Sequence, residues 1–249
     1  MILIKKIDIE TLTQEKLAKT IDHSLLSPLI TDSDLKQGCE LADKYHTATV
    51  CVKPYHVKFA CQLLANSEVK VSAVIGFPHG GHLSKIKALE AEQAILDGAK
   101  ELDMVLNIGA LKSKSFDFVR DDIKGVVDVA KRYGQILVKV ILENCYLTDE
   151  EKVIACRLSE EAGADYVKTS TGFAPGGATV HDVELMYETV GPRLGVKAAG
   201  GVRSIEVALN MIKAGATRIG ATRTEKIIKE WVGLKKQKQD EKFILPGER

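Results

Sequence analysis

Short, unbroken apolar runs alternate with longer stretches of helical period along most of the chain. The runs at 20–26, 47–52, 69–77, 101–108, 136–142, 164–168, 195–199 and 217–220 read as strands, several of them rich in β-branched residues and closed by Pro or Gly. Each is followed by a helical pattern, at 56–66, 84–97, 115–132, 180–190, 204–214 and 224–232 among others. Thr31 with Asp34 and Thr148 with Glu151 have the spacing of capping boxes that open two of these helices. Strands that are apolar throughout, rather than alternating, belong to parallel sheets covered on both faces. Eight strand–helix units with short connections predict a (β/α)₈ (TIM) barrel, one domain over 1–249. A short extra N-terminal helix is expected within 1–18, where Thr11 and Gln14 have capping spacing. The charged segment 234–249 is expected to extend the last helix or fray as a mobile tail, with Phe243-Ile244-Leu245 as an alternative apolar anchor.

An internal echo sets the strands in register. Gly98-Ala99-Lys100, Gly163-Ala164-Asp165 and Gly215-Ala216-Thr217 each read as a glycine at a helix C-terminus followed by a strand. The sixth residues of these echoes, Asp103, Lys168 and Gly220, are then expected at comparable heights on alternate strands.

Composition narrows the function. The 249 residues carry a formal net charge of +1, which gives no electrostatic reason to expect nucleic acid or a membrane surface as partner. Five widely spaced cysteines with no CxxC motif suggest neither a disulfide framework nor a zinc cluster. The N-terminus has no signal-peptide core and no apolar run is long enough to span a bilayer, so a cytoplasmic enzyme acting on a small molecule is expected.

Charged residues inside the apolar strands carry the candidate chemistry. Asp103, Lys139, Lys168 and Lys197 all fall toward C-terminal strand ends, where barrels place catalytic groups. Lys168 and Lys197 lie on neighbouring strands, about 5 Å apart. Two ammoniums that close repel, which leaves one lysine a neutral amine, while Asp103 can hold the other charged and relay protons. An amine nucleophile beside an ammonium and a carboxylate suits carbonyl chemistry through an imine. Glycines in the late loops, Gly172, Gly200, Gly201 and Gly220, with the hydroxyls of Ser204 and Thr222, form a second constellation suited to phosphate. His23 and His79 are expected as polar supporting groups rather than metal ligands, and Arg203 and Arg223 as solvated neighbours of the phosphate loops. Cys51 reads as a small apolar filler, since no base adjoins it.

The segments 165–172 (Asp-Tyr-Val-Lys-Thr-Ser-Thr-Gly), 196–203 (Val-Lys-Ala-Ala-Gly-Gly-Val-Arg) and 101–109 (Glu-Leu-Asp-Met-Val-Leu-Asn-Ile-Gly) resemble the signatures of the deoxyribose-phosphate aldolase family. Ile21-Asp22-His23-Ser24-Leu25-Leu26, Val50-Cys51-Val52, 74–80 and Arg218-Ile219-Gly220 agree, so the likeness spans about residues 20–225. It implies reversible cleavage of 2-deoxy-D-ribose 5-phosphate to D-glyceraldehyde 3-phosphate and acetaldehyde without metal or organic cofactor, in deoxyribose phosphate catabolism. By the family pattern Lys168 forms the Schiff base, Lys197 perturbs it and moves protons, and Asp103 is the proton donor and acceptor through water. Cys51, Lys139, Thr169 and Asp22 are implied around the substrate, and Gly172, Gly200, Gly201, Gly220 and Thr222 around its phosphate. The chain departs from the pattern at Phe173, where some members have lysine, and in having no tyrosine after Tyr187. Two rival expectations are another Schiff-base barrel taking a different aldehyde and an inactive barrel that senses a sugar phosphate. Assembly as a homodimer or higher homo-oligomer is expected through outer helices.

Overall fold

The computed structural model describes residues 3–243, with side chains through residue 237. Eight parallel strands close into a barrel in sequence order: β1 (Ile21–Leu25), β2 (Thr49–Val52), β3 (Lys70–Ile75), β4 (Glu101–Val105), β5 (Leu137–Ile141), β6 (Tyr166–Lys168), β7 (Gly195–Ala199) and β8 (Arg218–Ala221). The helices are α1 (Gln14–Ala18), α2 (Asp32–Lys44), α3 (Val57–Leu63), α4 (Ser84–Leu96), α5 (Ile108–Lys112), α6 (Phe116–Arg132), α7 (Asp149–Glu161), α8 (Val180–Val190), α9 (Ile205–Ala214) and α10 (Thr224–Phe243). Every residue of β2, β4 and β7 is buried, so their apolar residues do not alternate with exposed ones, and the charged Glu101, Asp103 and Lys197 are buried among them. The helical layer packs on them through residues such as Leu35, Ile123, Ala155 and Ile227.

Local chemistry explains where elements begin. Thr31 and Thr148 make reciprocal capping boxes with Asp34 and Glu151, as their spacing predicts. The echo glycines Gly98, Gly163 and Gly215 have φ of 112°, 84° and 126°, a left-handed turn that lets each helix drop directly into the next strand.

Four boundaries differ from those expected. The leading helix starts at Gln14, because Thr13 rather than Thr11 caps it; the side chain of Asp8 accepts the Glu10 N–H and its carbonyl accepts the Thr11 hydroxyl, holding 8–11 in a turn. Leu12 and Leu17 of this extension are buried against the barrel. Strand β4 ends at Val105, since Asn107 caps the short α5 by accepting from the Ala110 N–H. The third helical stretch begins as a 3₁₀ turn at Pro54–His56 before α3. The last helix continues through residues 234–243, part of the expected tail, and the remainder of that tail, 244–249, lies outside the described residues, as do Ile244 and Leu245 of the alternative anchor.

Candidate active site

Strands β4, β5, β6, β7, β8 and β1 turn seven ionisable side chains into the barrel. Period-two alternation puts Glu101 and Asp103 of β4 on the same inner face. The strand register sets Asp103 beside Lys139, Lys168 beside Lys197, and Lys197 beside Arg218.

Asp103 is the hub. Its Oδ2 accepts from Lys168 Nζ at 2.7 Å and from Lys197 Nζ at 2.6 Å, and its Oδ1 accepts from Lys139 Nζ at 2.7 Å and the Ser72 hydroxyl at 3.0 Å. Beneath it Lys139 pairs with Glu101 at 2.6 Å, and Arg218 pairs with both Glu101 and Asp22. Asp22 links the two levels, because its Oδ2 lies 2.5 Å from Lys197 Nζ while its Oδ1 accepts from Thr49 and Arg218. Four cations, Lys139, Lys168, Lys197 and Arg218, thus face three carboxylates, Asp22, Glu101 and Asp103. Burial without charge balance is costly, and loss of one proton from one lysine would restore the balance.

The environment selects Lys168 for that loss. Burial pushes its pKa down; Asp103 opposes this, but the ammonium of Lys197 adds to it, and the net is a lowered value. Burial also acts on Lys197, yet Asp103 and Asp22 outweigh it and hold the group charged, above its ordinary value. Lys139 is likewise held charged against burial by Asp103, Glu101 and Asp22. For Asp103 and Asp22 burial favours the acid, but the surrounding cations win and both stay well below the usual carboxylate range.

A cavity of about 460 Å³ opens above this network, lined by Lys168, Lys197, Asp22 and Cys51 at its floor. Leu26, Cys51, Val74 and Phe77 form a small apolar cluster apart from the main core, with Cys51 Sγ 3.9 Å from Asp103 Oδ2. Burial raises the Cys51 pKa and the Asp103 charge adds to the effect, so the thiol stays protonated, in keeping with a filler. At the far rim lie Gly172, Gly200, Gly201, Gly220 and Thr222, the glycine-rich constellation expected for phosphate, together with Arg203. Gly172, Gly200 and Gly201 have φ between 82° and 85°, a backbone that L side chains rarely adopt. Gly220 has another role: a Cβ there would sit 2.8 Å from the Ala199 Cβ and 3.3 Å from Lys197 Cε, so its absence leaves room for the lysine.

Several expected residues stand elsewhere. Thr169 is fully buried and exchanges hydrogen bonds with Ala199, its hydroxyl donating to the carbonyl at 3.0 Å and accepting from the N–H at 3.1 Å. Alternation explains this: if Lys168 points inward, Thr169 points outward and does not line the cavity. Lys139 is also fully buried, one layer below the cavity floor, where it supports Asp103. The Ser204 hydroxyl caps α9, accepting from the Val207 N–H, and is absent from the cavity wall, as is Arg223. His23 lines the cavity and its Nδ1 lies 2.9 Å from the Thr224 hydroxyl, a supporting place; burial pushes its pKa down to about 4. His79 is exposed.

Glu101, Arg218 and Ser72 were not singled out in the sequence. The alternation that joins Glu101 to Asp103 was the available signal, whereas Arg218 opens its strand, where a charged residue ordinarily faces water.

Residues 16–233 match the model of the DeoC/LacD family aldolases. The chain is 54% identical over 215 residues to a deoxyribose-phosphate aldolase of Caldanaerobacter subterraneus subsp. tengcongensis, a match covering 86% of this chain and 93% of that protein. A deoxyribose-phosphate aldolase of Enterococcus faecalis is 56% identical over 207 residues, covering 83% of this chain and 93% of the other. Among solved structures, the tetrameric deoxyribose phosphate aldolase of Aeropyrum pernix superposes with a TM-score of 0.85 at 34% identity, over 91% of this chain and 95% of that one. With this fold, this lysine–carboxylate network and these relatives, the chain belongs to the DeoC/LacD family of aldolases.

Proposed function

We propose that the neutral amine of Lys168 attacks the open-chain aldehyde carbon of 2-deoxy-D-ribose 5-phosphate, and that Lys197 and Asp103 move the protons. Attack gives a carbinolamine, and loss of water gives an imine whose positive nitrogen draws electrons from the adjoining carbon. Removal of the proton from the 3-hydroxyl, toward Asp103 through a water, breaks the C2–C3 bond and releases D-glyceraldehyde 3-phosphate. The enamine left on Lys168 takes a proton at C2, and hydrolysis of the resulting imine frees acetaldehyde and the amine. Asp103 is present as the anion that can accept because its surrounding lysines keep it ionised, and Lys197 supplies fixed positive charge beside the reacting nitrogen.

The observation that carries this is the single oxygen, Asp103 Oδ2, that holds both Lys168 and Lys197. One shared carboxylate oxygen satisfies one ammonium well, so the second lysine is released as a nucleophile. The glycine-rich rim with Arg203 and Thr222 receives the phosphate, and the Leu26–Cys51–Val74–Phe77 cluster encloses the two-carbon end. The free state of all five cysteines supports a cytoplasmic location, and the tetrameric relative supports assembly with further copies of the chain.

Borohydride reduction in the presence of acetaldehyde, followed by peptide mass mapping, tests the assignment. A reduced two-carbon adduct is expected on Lys168 and absent in Lys168→Ala. An adduct on Lys197 or Lys139 would overturn the roles, and no adduct at all would end the imine mechanism.

A further inference from the structure

A carboxylate outside the lysine network sits beneath the rim of the cavity. Glu143 follows β5 with φ 56° and ψ 62°, a left-handed conformation that costs a non-glycine residue energy. Its side chain is only 2% exposed and is fully occupied. One oxygen accepts the Thr171 N–H at 3.1 Å, and the other accepts a close bond from the Thr171 hydroxyl. That hydroxyl oxygen in turn accepts the Phe173 N–H at 3.0 Å. Thr171, Gly172 and Phe173 all line the cavity, and Gly172 between them needs its left-handed backbone to turn its peptide there. Phe173 stands edge-on to Phe77 with ring centroids 5.3 Å apart, which joins this loop to the apolar cluster across the cavity mouth. A buried acidic side chain held in a strained backbone, with both oxygens spent on one loop residue, is poorly explained as packing alone. Its removal would leave the Thr171 N–H and the Thr171 hydroxyl proton buried without an acceptor, although the hydroxyl oxygen would still accept from the Phe173 N–H.

We infer that Glu143 is a positioning residue of the reaction: it clamps the loop 171–173 so that the Gly172 peptide meets the substrate's phosphate while the aldehyde end reaches Lys168. The inference rests on the assignment of the rim to phosphate made above. It concerns binding and orientation, since Glu143 acts through Thr171 and does not reach the reacting carbon.

The test compares Glu143→Gly and Glu143→Gln with wild type, using 2-deoxyribose 5-phosphate and unphosphorylated 2-deoxyribose as substrates. Glycine suits the left-handed backbone, so that variant removes the clamp while relieving the local strain, and a melting curve on the same sample confirms that it is folded. In Glu143→Gly, KM for the phosphorylated sugar is expected to rise about tenfold with a smaller change in kcat. The preference for phosphorylated over unphosphorylated sugar should fall by a similar factor. Glu143→Gln keeps one acceptor for the Thr171 amide and should recover part of both. Equal losses on the two sugars, or an unchanged KM in folded Glu143→Gly, would overturn the inference. Failure of wild type to prefer the phosphorylated sugar, or to form the acetaldehyde adduct on Lys168, would instead overturn the functional assignment on which it rests.

Discussion

Removing one positive charge from beside Lys168 should change the pH at which it reacts. Lys197 is the like charge that lowers the Lys168 pKa, and it competes for Asp103 Oδ2. In Lys197→Met both effects vanish and Asp103 holds Lys168 as an ammonium. The neutral amine then appears only at higher pH. Each unit of upward shift costs about tenfold in adduct formation at a fixed pH near neutrality, because one unit is about 1.4 kcal/mol. Cyanoborohydride trapping of acetaldehyde from pH 6 to 10 would read the profile; an unshifted curve would deny Lys197 this role. His23 makes a separate prediction for stability. Its folded pKa of about 4 lies below the ordinary value of 6.5, so between these the unfolded chain binds the extra proton. Its contribution is therefore intact above pH 6.5 and is lost as pH falls toward 4, a loss on the order of 3 kcal/mol. Urea midpoints at pH 7 and pH 4.5 should converge in His23→Asn relative to wild type. At this scale Asp103, Lys168 and Lys197 were legible because charge inside an apolar strand is conspicuous. Thr169 was misplaced because a hydroxyl next to a key lysine says nothing about which face it takes until the pleat is counted. Glu143 was illegible, since neither a left-handed turn nor burial has a signature in Leu142-Glu143-Asn144.

Between elements, a second buried ion pair fastens the helical layer. Lys87 of α4 reaches Asp122 of α6 at 2.6 Å, with both side chains fully buried, and donates also to the Val105 carbonyl at the end of β4 at 2.9 Å. Gly76 allows this: a Cβ there would lie 2.9 Å from Lys87 Cε. Lys87→Met leaves Asp122 buried without its cation and should cost about 3–5 kcal/mol, whereas Lys87→Met with Asp122→Leu should recover most of the loss. Urea unfolding of the two variants checks this; equal destabilisation would show that the pair is not the fastening. In the sequence, Lys87 looks like Lys85, two positions earlier, and apolar residues surround α4 so evenly that no face stands out. Strand and helix order was read correctly because period and capping are local. The end of α10 stayed open between an extended helix and a frayed tail, because a run of charges fits both, and the helix continues to Phe243. The i,i+4 pairs Lys226–Glu230 and Glu225–Lys229 support its first turns, and Lys235 over the Trp231 ring supports the helix beyond them.

For the whole molecule, the even distribution of apolar residues around α4 has a counterpart on its outer side. Its inner side is taken by Lys87, Ala91, Ala94 and Ile95. Outside, Ile86, Leu89 and Leu96 recur at helical spacing and are 47%, 50% and 61% exposed, with Leu83 at 75% just before the helix. Phe118 of the adjoining α6 is also 47% exposed. An apolar stripe on an outer barrel helix is better used against an identical stripe than against water, and a two-fold axis across α4 would bury both at once. The 34%-identical relative described as tetrameric makes a second copy the natural occupant. The expected solution mass is then a multiple of 27.2 kDa. Leu89→Lys should lower it by one stage of assembly, since a buried ammonium facing its own symmetry mate has no partner. Light scattering with sedimentation velocity reads the mass directly. The same Leu89→Lys sample should keep its adduct on Lys168, because α4 lies outside the barrel and none of its residues lines the cavity. An unchanged mass would move the interface to another face, and a monomeric wild type would leave the stripe without this purpose.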